Sequence, residues 1–206
     1  MIRLAAFVPS LPASALAPWA EEAPWALTAN APAIVEQLLA AIEPAHYRRE
    51  GTVAVHHTAT IEPGAVLKGP AIVGPGSFVA AGAYVRGGCW LEAGCILGPG
   101  AELKSSFVLW GAKLAHFNFV GDSILGTGVN LEAGSIVANC RNERPEKEIR
   151  VRVGGRLKGT GIEKFGALLG DEVRIGANAV VAPGALVPAG FVLPRLALLD
   201  QEKDAP

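Results

Sequence analysis

Aliphatic residues recur at every sixth position from Val55, through Ile61, Leu67, Val73, Val79, Val85, Leu91, Leu97 and Leu103 to Leu109. Helical spacing of three and four does not produce such a run. The frame slips after Leu109, returns at Leu125, Leu131 and Val137, and resumes at Leu169, Ile175, Val181, Val187 and Leu193. Four residues after the early positions stands a small residue (Ala59, Ala65, Ala71, Ser77, Ala83, Cys89, Cys95, Ala101), commonly preceded by glycine. A period of six with glycine turns marks a hexapeptide β-helix in which each hexad supplies a short strand and a corner. The fold class expected is therefore all-β, a parallel β-helix of triangular coils with the aliphatic residue pointing inward. Eighteen fitting positions, three to a coil, predict about six coils stacked at ~4.8 Å.

The first fifty residues follow a different rule. Ile34, Val35, Leu38, Leu39 and Ile42 recur at helical spacing behind Asn30 and Pro32, an N-cap residue and a first-turn proline, and predict a helix over 32–43. Ahead of it, Pro18-Trp19 and Pro24-Trp25 lie in an Ala/Pro-rich stretch read as extended, its tryptophans packing on neighbouring surface. The chain thus divides into an N-terminal cap with one helix (1–50) and a β-helix domain (51–206) whose coils stop near Leu193.

Two stretches depart from the repeat. Residues 113–122 interrupt it and place His116 on a flat face. Residues 140–168 carry no hexads and read as a β-hairpin excursion, since Ile149, Val151 and Val153 alternate with Arg150 and Arg152. Between Arg141 and Lys164 eight basic residues face four acidic ones, so a phosphate clamp at one end of this arm is a second reading.

Composition narrows the function classes. Charged residues make up 18% of the chain against a usual ~25%, and 18 Lys+Arg against 19 Asp+Glu leave a net charge of −1, which excludes a general nucleic-acid footprint. No stretch approaches the ~20 apolar residues of a membrane span. Pro9 and Pro12 interrupt a signal-like stretch that runs from Arg3 and Leu4–Val8 to Ala13-Ser14-Ala15, so the N-terminus is read as mature. Three cysteines do not make a disulfide framework, and a cytoplasmic location is expected. Cys89 and Cys95 occupy the small-residue slot and are read as buried hydrophobes. His56 and His57 are read as capping the first coil. No His-x4-His pair occurs and no metal is expected.

Lys104, the stretch from Lys113 through His116 to Gly121-Asp122, Val129-Asn130-Leu131-Glu132-Ala133-Gly134-Ser135 and Ala138-Asn139 closely resemble the left-handed β-helix acetyltransferase domain of bifunctional glucosamine-1-phosphate acetyltransferase/N-acetylglucosamine-1-phosphate uridylyltransferases. The similarity covers roughly residues 52–193 and is strongest to the archaeal-type sugar-1-phosphate nucleotidylyltransferases, which share Ala138 to Arg141, the longer arm and Lys164 to Ala167. The resemblance implies an acetyl-CoA-dependent N-acetyltransferase acting on an amino sugar phosphate such as glucosamine-1-phosphate. His116 is the implied general base, and an ordinary imidazole accepts a proton near neutral pH. Arg86, Lys104, Phe119, Asn130 and Lys164 are the implied substrate contacts. Asn139, Ala133 and Ala177 fall to acetyl-CoA, with the Ala177 amide facing the developing oxyanion. A homotrimer with its cleft between neighbours is implied as well. Phe119 replaces the family's tyrosine, and Glu132 replaces a glycine, placing a carboxylate that could repel phosphate or orient His116. Residues 1–50 contain no Gly-rich phosphate loop, so nucleotidyl transfer is not expected. The rival reading is a catalytically idle member that binds a nucleotide sugar or a partner protein through the cap.

Overall fold

The computed structural model describes residues 2–203. It is a β-helix of the expected class, with three sheets each contributing seven parallel strands. Face one stacks Val53–His56, Ala71–Val73, Cys89–Leu91, Phe107–Val108, Ile124–Leu125, Ala167–Leu169 and Ala185–Val187. Face two runs from Thr60–Ile61 through Phe78–Val79, Ile96–Leu97, Lys113–Leu114, Asn130–Leu131 and Arg174–Ile175 to Val192–Leu193. Face three comprises Val66–Leu67, Tyr84–Arg86, Glu102–Lys104, Phe119–Gly121, Ile136–Val137, Val180–Val181 and Leu198–Leu199. Tyr47–Glu50 adds an antiparallel strand to the first edge of face one.

Seven coils stand in place of the expected six, because the repeat continues where its frame slips. Residues 113–122 do not leave the prism: Leu114 pairs with Leu97 and Leu131, and Val120 with Leu103 and Val137, all pointing into the core. The frame slip is a shortening instead. Val108, not Leu109, pairs with Leu91 and Leu125 in the interior, while Leu109 turns outward beneath the cap. Leu103 to Val108 and Val120 to Leu125 are five-residue steps, both at the corner joining face three to face one. Ser105 (φ 46°) and Asp122 (φ 47°) turn that tightened corner in the left-handed conformation. Serine hydroxyls bind it from coil to coil: Ser106 Oγ donates to Lys104 O (2.7 Å) and accepts from Ser123 N (3.0 Å), and Ser123 Oγ donates to Gly121 O (2.7 Å) and accepts from Ala167 N (3.0 Å). The last coil runs to Leu199, beyond the expected stop near Leu193. Cys89 and Cys95 are buried in the prism, and burial pushes their thiols up to about 11 and about 12, so they pack as small hydrophobes.

The cap is more helical than its sequence suggested. The stretch read as extended folds into short 3-10 turns and helix α1 (Pro24–Ala29), and α2 spans Ala31–Ala41 with Pro32 in its first turn. Asn30 precedes α2 but donates its side-chain amide back to Ala26 O (3.0 Å) instead of capping. Leu4, Leu11, Leu27, Ile34, Val35 and Leu38 bury face one, whose outward Ile72, Trp90, Phe107, Ile124 and Leu168 meet them. Gly88 permits this approach, since a Cβ there would lie 2.5 Å from Pro32 N. The excursion completes the cover. Its hairpin pairs Arg150–Val153 with Arg156–Gly159, and Ile149, Val151 and Phe165 are fully buried against the same cluster, so this arm is half-docked rather than solvated. Trp25 meets Phe165 edge-on at 6.2 Å. Faces two and three stay open.

Arg141, Arg144, Arg150 and Arg152 turn their guanidinium groups toward residues 200–202, which takes these four out of the clamp reading. Arg141 is buried and binds Asp200 through two nitrogens (2.9 and 2.7 Å), donates to Pro183 O and pairs with Glu202. Gln201 exchanges hydrogen bonds of 2.9 Å with Leu186 N and O, standing where the next strand of face one would lie. The Arg141 guanidinium holds the Asp200 carboxyl below its ordinary value. That contribution is complete above the ordinary carboxylate pKa and is lost as pH falls through the depressed one. Asp200→Asn is expected to lower stability by roughly 3 kcal/mol at pH 7, with the gap from wild type narrowing under acid, as thermal unfolding against pH will show. Leu114→Ala is expected to cost about 2–5 kcal/mol in denaturant unfolding, as an interior position should.

Candidate functional site

The corner between faces two and three aligns Pro99, His116, Ala133, Ala177 and Arg195 in successive coils. Backbone bonds tie the column together: Phe117 N to Pro99 O, Gly134 N to His116 O, Asn178 N to Ala133 O and Leu196 N to Ala177 O, at 2.8–3.0 Å. His116 is exposed on the ridge between the two open faces. Its ring makes no hydrogen bond to any described residue, and beside it Phe117 is 72% exposed, turned outward by a left-handed backbone (φ 51°).

A recurrent device decides which corner amides are available. A glutamate just after a strand accepts from the second corner N–H of the following coil: Glu62 from Ala81 (2.8 Å), Glu92 from Trp110 (3.0 Å) and Glu132 from Ala177 (2.8 Å). The residue one coil below Ala133 at the glutamate position is Ala115, which has no carboxylate. The Ala133 amide accordingly has no partner among the described residues, one coil (~4.8 Å) from His116. Ala177, expected to face the oxyanion, has its amide taken by Glu132. Glu132 does not orient His116; its carboxylate also receives Arg195 through Nε (2.7 Å) and a terminal nitrogen (2.8 Å), and that pairing holds its pKa below the ordinary value.

The opposite edge of face three gathers Lys104, Asp122, Asn139 and Lys164. Lys104 Nζ lies 2.7 Å from both oxygens of Asp122, which also accepts from the Asn139 amide. Gly121 makes room, because a Cβ there would sit 2.6 Å from Asn139 Nδ2. Lys164 is exposed on a shallow cavity of about 410 Å³ shared with Lys104, Asp122 and the start of α2. Arg86, one coil before Lys104 on the same face, is paired with Glu102 at 2.8 Å. Phe119 lies half-buried on face three, and Asn130 is exposed on face two between Lys113 and Arg174. Apart from Phe119 and Asn130, the expected residues therefore form two groups at the two edges of face three. Asp122 and Arg195 went unassigned in the sequence; Asp122 carried a signal, the Gly-Asp step at a shortened repeat.

Residues 49–156, just over half of the chain, match the family model described as the GMPPB C-terminal domain. The chain belongs to that family. It is also 39% identical over 92 residues to a bifunctional sugar-1-phosphate nucleotidylyltransferase/acetyltransferase of Sulfurisphaera tokodaii, covering 45% of this chain and 22% of the relative. A bifunctional protein GlmU of Methanococcus vannielii is 30% identical over 105 residues, covering 51% of this chain and 25% of the relative. This chain thus spans about a quarter of the length of these relatives. Among solved structures, a hexapeptide transferase family protein from Anaplasma phagocytophilum shares the fold with a TM-score of 0.52 and 16% identity, over 73% of this chain and 81% of that one.

The Lys104–Asp122 pair has side-chain exposures of 16% and 7%, so removing one partner strands a charge in a poorly hydrated corner. Asp122→Ala is expected to destabilise by roughly 3 kcal/mol, and adding Lys104→Met is expected to recover most of it in a double-mutant cycle of unfolding free energies.

Proposed function

We propose that this protein is an acyltransferase that moves an acetyl group from acetyl-CoA to the amine of an amino sugar phosphate. The observation that carries the reading is the pairing of an exposed imidazole with a free backbone amide one coil away. An amine nitrogen held against His116 gives its proton to the ring as it attacks the thioester carbonyl. The carbonyl oxygen gains charge as the C–N bond forms, and the Ala133 N–H donates to it. Collapse breaks the C–S bond, and the proton on His116 passes to the departing thiolate. The oxyanion role moves from Ala177 to Ala133 because an amide already bonded to a carboxylate must first lose that bond. No metal enters this scheme.

Lys164, with Lys104 and Arg86 behind it, supplies the positive edge toward which a sugar phosphate orients; Asn130 and Asn139 offer amide contacts at the margins. His116 and Lys104 stand at opposite edges of face three, and one small substrate bridges them best when a second prism packs against the open faces. The reading therefore includes a homotrimer with the cleft between copies, and the exposed Ile136, Leu196 and Leu198 on or beside face three support it.

A second reading, a binding member without turnover, is favoured by one observation: Arg86 and Lys104 are already neutralised by Glu102 and Asp122. Free-thiol release from acetyl-CoA in the presence of glucosamine-1-phosphate separates the two. The acyltransferase reading expects turnover that falls by about 10²–10⁴-fold in His116→Ala. Turnover unchanged in that variant, or none with any amino sugar phosphate or nucleotide-linked amino sugar, ends it.

A further inference from the structure

At the other end of face two from His116 lies a depression of about 540 Å³, of whose lining only Asn130 has a role in the sequence reading or the proposed chemistry. Its wall is Trp110, 59% exposed at the corner between faces one and two. The other three tryptophans are buried or half-buried. The indole leans over Gly94, whose φ of 70° continues in Gly111 and Gly128 (68° each) as a floor without side chains. Lys113, Asn130 and Arg174 follow one another in register up face two, so two cations flank an amide about 10 Å apart. Neither Lys113 nor Arg174 makes an ion pair with any described residue, unlike Arg86, Lys104, Arg141, Arg144 and Arg195.

Glu172 closes the depression. It stands in a corner column that Gly76, Gly94, Gly111, Gly128 and Gly190 occupy in five other coils, and it holds the left-handed backbone those glycines adopt (φ 60°). A side chain kept in that conformation where its neighbours are glycine is a local strain of the kind found at ligand sites. Its carboxylate lies over Gly128, facing the same space.

We propose that this depression binds the nucleoside diphosphate part of a nucleotide-linked amino sugar. The base stacks on the Trp110 indole, Lys113 and Arg174 take the diphosphate, and Glu172 accepts a hydrogen bond from a ribose hydroxyl. From Lys113 to His116 is three residues, about 10 Å of chain, so the diphosphate leads the sugar along face two toward the imidazole. This deepens the acyl-transfer reading, on which it rests for the sugar end, by making the acceptor a nucleotide sugar rather than a bare sugar phosphate.

Titration of UDP, GDP and ADP into the full-length protein, followed by calorimetry and tryptophan fluorescence, tests the site without any turnover. At least one diphosphate is expected to bind and quench fluorescence, with affinity unchanged in His116→Ala. Trp110→Ala is expected to weaken binding about 5- to 150-fold. Trp110→Phe keeps the stacking surface and is expected to retain affinity while losing the quench; Arg174→Met weakens binding with the fold intact by circular dichroism. The inference is overturned if no diphosphate binds, if binding ignores Trp110→Ala and Arg174→Met, or if desulfo-CoA displaces the diphosphate, which would assign the depression to the acyl donor. A change in sedimentation with Trp110→Ala would likewise overturn it, making Trp110 an interface residue. Activity in His116→Ala sinks the acyl-transfer reading alone, and equal turnover of glucosamine-1-phosphate and its nucleotide-linked form sinks the nucleotide site alone.

Discussion

Everything in this molecule depends on strands stacking in parallel at a constant pitch with one aliphatic side chain inward per strand. Burying each such side chain contributes roughly 1.5–3 kcal/mol before the entropy of ordering, and the in-register stack from Val55 to Leu199 makes any slip expensive. Register held that firmly turns the corners into columns, in which residues far apart in sequence meet coil above coil. His116, Ala133 and Ala177 are neighbours for that reason alone. The same constraint gives Glu62, Glu92 and Glu132 their habit of capping an amide one coil on, and makes the alanine at 115 consequential.

The proposed site sits where the columns deviate. The shortened corner at Ser105 and Asp122 draws Lys104, Asp122 and Asn139 into one hydrogen-bonded group, and the excursion that leaves from the same corner returns with Lys164 beside it. The cap and the arm cover face one and leave two faces open, with the imidazole on the ridge between them. Arg141 and Gln201 finish the far end of the prism with side chains in place of another strand.

Most of the prism was legible in the sequence because a period of six has a single structural meaning, and seventeen of the eighteen assigned positions do point inward. Leu109 did not, because Val108 and Leu109 are both aliphatic and only the missing corner residue tells which faces in. Leu114 and Val120 were overlooked for the same reason: the two five-residue steps threw the count off while the coils continued. Helix α1 escaped because six residues of Pro-Trp-Ala-Leu-Thr-Ala show less than two turns of pattern, and packing on face one supplies what propensity does not. The site residues were named by likeness rather than by pattern. That likeness pointed to His116 and the cations but was blind to pairing, so it did not foresee Glu132 on the Ala177 amide, Asp122 on Lys104, or the free amide at Ala133.

The claim that Ala133 rather than Ala177 meets the acyl oxygen is open to a direct measurement. Backbone amide ¹⁵N–¹H spectra of the protein, recorded with and without a non-hydrolysable acetyl-CoA analogue and an amino sugar phosphate, report each N–H separately. The account predicts a downfield shift of the Ala133 proton on formation of the ternary complex, with Ala177 held in place by Glu132. An unmoved Ala133 resonance beside a shifted Ala177 would contradict it.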